Sequence, residues 1–264
     1  METRALGSQG LAVAPVGYGA MGTVIGYGRS EDIESIAAVR RAHELGVTHF
    51  DTAAMYGWGE GEKLLGRALA PIRDDVTIAT KFGFDKATAP DSRPEYIRDV
   101  VDSGLRNLGT DRIDLLYQHV PDPDVPIEDV VGVMKEFVTA GKVAYLGLAN
   151  TARGFLSSTA RPRDQYGADG FRQTQAWWQP ENFDANAAIA GELTKLAQDK
   201  GVPLSQLALA WLLAKKDYIV PIPGSRNPRR VAQNVAATGL KLTADDLVRI
   251  ARIAPEGGLG GQPS

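Results

Sequence analysis

Asp51, Tyr56, Lys81 and His119 are the residues whose types and spacing suggest chemistry. Three of them stand at the ends of apolar, strand-like runs, Val47–Asp51, Val76–Lys81 and Ile113–His119. An ionisable group at the tip of a buried strand is costly unless something pairs with it. Tyr56 follows Asp51 on the next loop, and Gly57 and Gly59 let the backbone turn back on itself. A lysine ammonium about 4 Å from a phenol hydroxyl favours phenolate by roughly 4 kcal/mol at an effective dielectric near 20. At about 1.4 kcal/mol per unit, that draws a phenol from about 10 towards about 7 and makes Tyr56 a proton donor at neutral pH. Asp51 would hold Lys81 charged and in place, and His119 would orient a substrate oxygen. The group contains no nucleophile with an adjacent base and no metal-ligand cluster. It suits protonation of a carbonyl oxygen that receives a hydride from elsewhere. Each residue also has a plainer role, as a salt bridge or a structural hydrogen bond. His43, on a helix, and His49, inside the strand, read that way.

The elements that must position these side chains alternate. Arg4–Val13 reads as a hairpin turning at Gly7–Gly10, and a strand over 14–18 follows. Gly17–Gly22 matches G-x-G-x-x-G, but glycines stand where the helix of a dinucleotide fingerprint should begin, so that reading is rejected. A helix over Glu31–Leu45, capped by Ser30, leads to the strand Val47–Asp51. A helix over Gly61–Ala70 precedes a strand Val76–Thr80. Ser92-Arg93-Pro94-Glu95 reads as a capping box that opens a helix to Leu108. Strand Ile113–Gln118, helix Ile127–Ala140 and strand Val143–Leu148 complete a run of parallel β/α units. Between Thr151 and Asp184 the pattern fails. Helices Asn186–Lys200 and Leu204–Lys215, a strand Tyr218–Ile222 and helices after Pro228 and Thr243 follow. Six strands are recognisable where a closed barrel has eight. In such folds the active site lies at the C-terminal ends of the strands, where Asp51, Lys81 and His119 converge.

Composition excludes much. Of the 264 residues, 44% are hydrophobic and 23% charged, as in an ordinary globular protein. The net charge of −3 gives no reason to expect nucleic acid as a partner. With no cysteine there is no disulfide, thiolate metal site or cysteine nucleophile. The N-terminus has no signal-peptide core, and no apolar run suggests a membrane partner, so a cytoplasmic location is the default expectation.

The hydride source has its own signal in Pro221–Arg230. Gly224 and Ser225 permit close backbone approach, and a helix opening near Pro228 offers free N–H groups to an anion. Arg226, Arg229 and Arg230 suit a phosphate monoester such as the 2′-phosphate of NADP, although a solvated basic helix start looks the same.

Four segments then carry a resemblance. Phe50–Gly57 (F-D-T-A-A-M-Y-G), Ile78–Gly83 (I-A-T-K-F-G), Asp114–His119 (D-L-L-Y-Q-H) and Ile222–Asn234 (I-P-G-S-R-N-P-R-R-V-A-Q-N) are similar, in order, to signature segments of the aldo-keto reductase superfamily. The resemblance spans 1–150 and 151–254. It implies an α/β fold, a (β/α)8 TIM-barrel type with an N-terminal β-hairpin, and NADPH-dependent reduction of a small-molecule aldehyde or ketone. By position it makes Asp51, Tyr56, Lys81 and His119 the catalytic tetrad, with Tyr56 as general acid. Gly224, Ser225, Arg226, Arg230, Gln233 and Asn234 match the cofactor-phosphate segment, Asn150 a contact to the nicotinamide, and Arg153-Gly154 part of the pyrophosphate loop. The chain departs from the family at Ala149-Asn150, where Ser-Asn is usual, and then runs almost directly into the pyrophosphate loop. The family's sixth and seventh β/α units have no counterpart. The organisation expected is therefore one domain over 1–264: five strands in 1–150, an irregular segment 151–185, a cofactor half 186–254 and a flexible tail 255–264. Missing strands leave unpaired edges, through which self-association is expected unless Tyr166–Trp178 covers them. They also weaken cofactor binding, so an inactive or weak nucleotide-binding protein is the alternative function. A barrel isomerase or lyase using Lys81 as a Schiff-base amine is a third. Tyr27, Trp58, Phe82, Phe84 and Trp177 suggest an apolar pocket lining and are equally ordinary packing residues.

Overall fold

The computed structural model describes residues 2–25, 31–148 and 179–254. Readings that fall elsewhere lie outside the described residues: the Ser30 cap, Tyr27, Asn150, Arg153, Gly154, the cover at Tyr166–Trp178 and the tail. Residues 1–152 with 218–235 form one compact unit, and 153–217 with 236–264 form a second.

In the first unit, β1 (Arg4–Leu6) and β2 (Leu11–Val13) make an antiparallel hairpin. A parallel sheet follows in the order β3 (Tyr18–Gly19), β4 (His49–Asp51), β5 (Thr77–Phe82), β6 (Ile113–Gln118) and β7 (Val143–Leu148). The connecting helices are α1 (Asp32–Glu44), α2 (Glu60–Leu69), α3 (Pro94–Leu108) and α4 (Ile127–Thr139). Proline begins α3, where a missing N–H costs nothing, and Gly109 ends it in the left-handed region at φ 64°.

Strand alternation decides which side chains meet. Phe50, Ile78, Phe82 and Leu116 face the helices and join Leu65, Leu69, Ile97 and Val231 in the main core. Ala79 and Leu115 face the other way and pack with Leu11 and Val13 of the hairpin. Asp51 and Lys81 lie on that same inner face. Strands β4, β5 and β6 are buried on both sides, so their sequences show no clean alternation of polar and apolar residues.

Four local expectations change in this unit. The strand expected over 14–18 forms only at Tyr18–Gly19. The Ser92 capping box does not form: Arg93 is the N-cap without a side-chain bond, and the Ser92 hydroxyl instead accepts from Gln118 Nε2 at 3.0 Å. Strand β5 extends two residues beyond Thr80, so Lys81 lies inside it. No strand occupies 218–222; Pro221 and Pro223 have no N–H to donate to a ladder, and the Pro221 carbonyl accepts from Gly17 N–H at 2.9 Å while the Ile219 carbonyl accepts from Arg4 Nη1 at 2.7 Å.

In the second unit, α5 (Pro180–Asp199), α6 (Leu204–Lys215) and α8 (Ala244–Ile253) bury Leu193, Leu196, Leu204, Leu207 and Ile250 together. Helix α5 starts six residues earlier than its apolar pattern suggests, because Gln179-Pro180 is a helix start rather than a break. Thr243 and Asp246 form a complete capping box on α8. Among the described residues no helix is long and apolar enough to cross a membrane.

The Lys200 ammonium, 2.6 Å from Asp246, holds that carboxyl down at about 2, with further bonds from Thr243. A carboxyl depressed in the folded state contributes stability that is complete above its unfolded value near 3.8 and is lost as pH falls through about 2. In urea unfolding, the parent should therefore exceed Asp246→Asn in stability at neutral pH. That margin should shrink across the window below about pH 4.

Candidate active site

Parallel pairing brings the ends of β4, β5 and β6 side by side. Asp51 is the last residue of β4 and stands opposite Ala79, Lys81 stands opposite Tyr117, and the His119 N–H donates to Phe82 O at 2.7 Å just beyond β6. The ladder continues into the next loop, where Thr52 N–H bonds Ala79 O and Ala54 N–H bonds Lys81 O. This stitches the start of the 52–59 loop to the strand that carries the lysine. Gly57, Trp58 and Gly59 then take positive φ values of 64°, 52° and 98°. Two are glycines, as the sequence suggests; the tryptophan in that region is strained, which glycine would avoid.

Lys81 Nζ donates to Asp51 Oδ1 and, at 2.7 Å, to the Thr52 carbonyl. The two side chains are 3% and 5% exposed, so the pair is cut off from water. Neither charge is tolerable there alone. The ammonium also lies 5.1 Å from the centre of the Tyr56 ring, and Tyr56 is itself buried. The His119 ring meets the Tyr56 ring edge-on, 5.9 Å between centres, and meets Phe84 in the same way at 5.1 Å. The structure thus brings all four sequence-identified residues together. A buried cation beside a phenol, with an imidazole across from it, can move a proton to an oxygen and hold the charge left behind.

Burial favours the neutral form of two neighbouring groups. Burial pushes the His49 imidazole down, although the Asp51 charge opposes that shift, and burial pushes Tyr117 up to about 12. Among the described residues, His49 Nδ1, Thr52 Oγ1 and Gln118 Oε1 are buried without a hydrogen-bond partner.

The second sequence signal lies on the same unit. Gly19 pairs with Asp51 in the sheet, and a Cβ on Gly224 would sit 2.2 Å from Gly19 O, so only glycine permits that backbone approach. Tyr18 Oη donates to Ser225 O at 2.8 Å, fixing the segment beside β3. Asn227 Oδ1 accepts from Arg229 N–H at 2.9 Å and opens α7 (Pro228–Ala236). Arg229, Arg230 and Gln233 are exposed on it, while Ser225, Arg226 and Asn234 are partly covered. Sequence reasoning missed two members of the site. The Thr52 carbonyl carries no side-chain signature, and Phe84 stood out only as one aromatic among several.

Comparison with known proteins adds an independent finding. A sequence model of the Aldo/keto reductase family matches residues 15–153 and 151–255. "Probable aldo-keto reductase 1" of Glycine max is 32% identical over 310 residues, covering 97% of this chain and 90% of that protein. "Aldo-keto reductase yakc [NADP(+)]" of Schizosaccharomyces pombe is 30% identical, covering 92% of this chain and 88% of its own length. The soybean alignment is longer than this chain, so that relative carries residues with no counterpart here. The two stretches of the family match meet at 151–153. Among solved structures, glycerol dehydrogenase AKR11B4 of Gluconobacter oxydans superposes with a TM-score of 0.84 at 22% identity, covering 99% of this chain and 97% of that one. The holo form of AKR11C1 of Bacillus halodurans does so at 0.79 and 24%, covering 96% of each chain. The fold is that α/β barrel type.

Because the Asp51–Lys81 pair is buried, Asp51→Asn or Lys81→Met should each cost about 3 kcal/mol of stability. The double variant should cost clearly less than the sum of the two, as a double-mutant cycle in urea would measure.

Proposed function

This chain belongs to the aldo/keto reductase family, and on that footing we propose that it reduces small-molecule aldehydes or ketones to alcohols with NADPH, Tyr56 being the acid. The observation that carries this reading is the buried Lys81 ammonium, paired with Asp51 and set 5.1 Å from the Tyr56 ring centre.

NADPH, when bound, supplies the hydride that the carbonyl carbon accepts. The residues present fit its phosphate end. Gly224 lets its segment pack against Gly19, and Ser225, Arg226, Arg230, Gln233 and Asn234 lie on the loop and first turns of α7, where guanidinium forks favour a phosphate although Asn227 Oδ1 already takes the Arg229 and Arg230 N–H groups. The fission-yeast relative is named for NADP(+), which supports the same cofactor. Asn150, Arg153 and Gly154, assigned to the nicotinamide and pyrophosphate by resemblance, complete the proposed set.

The chain's own residues handle the proton. Tyr56 Oη gives its proton to the carbonyl oxygen as negative charge develops there. Lys81 stabilises the phenolate left behind, and Asp51 keeps Lys81 charged and aimed. His119, braced by Phe84, orients the carbonyl oxygen. A fixed cation in a water-poor site does this with little reorganisation.

A nucleotide-binding protein without turnover is the second reading, favoured by the residues that the soybean relative has and this chain lacks. NADPH oxidation with a panel of small aldehydes, diketones and aromatic aldehydes separates the two. The proposal predicts turnover in the parent. It also predicts that Tyr56→Phe lowers kcat by about a hundredfold or more while leaving NADPH affinity unchanged. Tight NADPH binding with no turnover on any substrate would establish the second reading instead.

A further inference from the structure

Glu62 is the buried charge that the tetrad leaves unexplained. It lies in the first turn of α2 and is 1% exposed. No cation forms an ion pair with it among the described residues. Its two oxygens are nevertheless taken: Thr80 Oγ1 donates to Oε1 at 2.7 Å, and Asn107 Nδ2 donates to Oε2 at 3.0 Å. Burial pushes its carboxyl above the ordinary range, and the Asn107 and Thr80 bonds oppose that shift. A glutamate at this place in a helix commonly reaches back to the N-cap N–H. Here the Gly59 N–H is already bound to Ala54 O at 3.0 Å, and the side chain turns inward.

What it touches is the frame of the site. Thr80 precedes Lys81 in β5, and alternation sends its side chain to the helix side as the lysine goes to the inner side. Asn107 belongs to the last turn of α3, and its amide nitrogen would lie 2.6 Å from a Cβ on Gly59. Gly61, the neighbour of Glu62, donates its N–H to Tyr56 O at 3.0 Å. A Cβ on Gly104 would stand 3.0 Å from Glu62 Oε1, so the facing helix leaves space for the carboxylate. The loop bearing Tyr56 is thus held at one end by the β4–β5 ladder and at the other by Glu62.

We propose that Glu62 is a positioning residue for the Tyr56–Lys81 pair, its carboxylate pinning the first turn of α2 to β5 and α3 so that the phenol is held over the ammonium. The proposal rests on the reading of this site as a carbonyl reductase, and it accounts for a buried carboxylate where a leucine would pack without desolvation cost.

The test compares Glu62→Met, which removes both acceptors, with Glu62→Gln, which keeps an acceptor for Asn107 and can donate to the Thr80 hydroxyl. Val133→Ala, a core substitution on the buried face of α4, serves as a stability control. With NADPH and a reducible aldehyde, Glu62→Met should lower kcat about tenfold with KM within about twofold, and Glu62→Gln should recover most of that loss. A second readout needs no turnover. The ionisation of the Tyr56 phenol, taken as the difference between the ultraviolet titrations of each protein and its Tyr56→Phe counterpart, should move upward in Glu62→Met and not in Glu62→Gln. If the parent consumes no NADPH, the reductase reading fails by itself and the titration still decides the role of Glu62. Should Glu62→Met not fold, Thr80→Val breaks the β5 side of the clamp alone and carries the same expectation. An unmoved phenol titration with parental kcat overturns the proposal, as does an equal kcat loss in Val133→Ala.

Discussion

A lysine ammonium buried against one carboxylate is the interaction on which the rest of this site depends. Lys81 and Asp51 are almost wholly removed from water, and such a pair persists only where its geometry is imposed from outside. The sheet register sets Asp51 beside Ala79 and Lys81 beside Tyr117, and the Thr52 carbonyl takes a further ammonium proton. The ladder that fixes the pair also starts the loop bearing Tyr56. Electrostatics and loop geometry are therefore one constraint: moving the loop would uncover the pair, and breaking the pair would leave a lone charge beneath the phenol.

Much of this was legible in the sequence because ionisable residues stand out against apolar strands. Asp51 and His119 end such runs, and both sit where the alternation of helix and strand puts them. Lys81 was legible as a partner, yet its place inside β5 was not, since a strand buried on both faces gives no alternation to count. Ser92 illustrates a different blindness. Its spacing to Glu95 fits a capping box, but the competing bond comes from Gln118, a residue distant in sequence. The apolar run at 218–222 suits a strand in composition, but Pro221 within it and Pro223 just after it have no N–H to give a ladder. Glu62 was passed over because an acid in a helix's first turn is ordinary; its alignment with Leu65 and Leu69 on the buried face was the available signal.

The glycines near both ends of the first unit serve close approach rather than a dinucleotide fingerprint. Gly19 and Gly224 meet backbone to backbone, which places the arginine-bearing segment next to the strand that neighbours Asp51. Tyr56 and the segment proposed to hold the cofactor phosphate thus belong to one compact unit. The soybean relative carries residues that this chain lacks, and the family match is divided at 151–153. Function here turns on whether a nicotinamide can be held facing Tyr56 with that smaller complement.

Following the hydride itself tests this most directly. NADPH carrying deuterium at the transferable position of its nicotinamide, incubated with the full chain and a panel of carbonyl compounds, should deliver the label to the carbinol carbon of an alcohol product. NADPH bound tightly but with its label retained, and no labelled alcohol from any substrate, would contradict the assignment of Asp51, Tyr56, Lys81 and His119 as working reductase machinery.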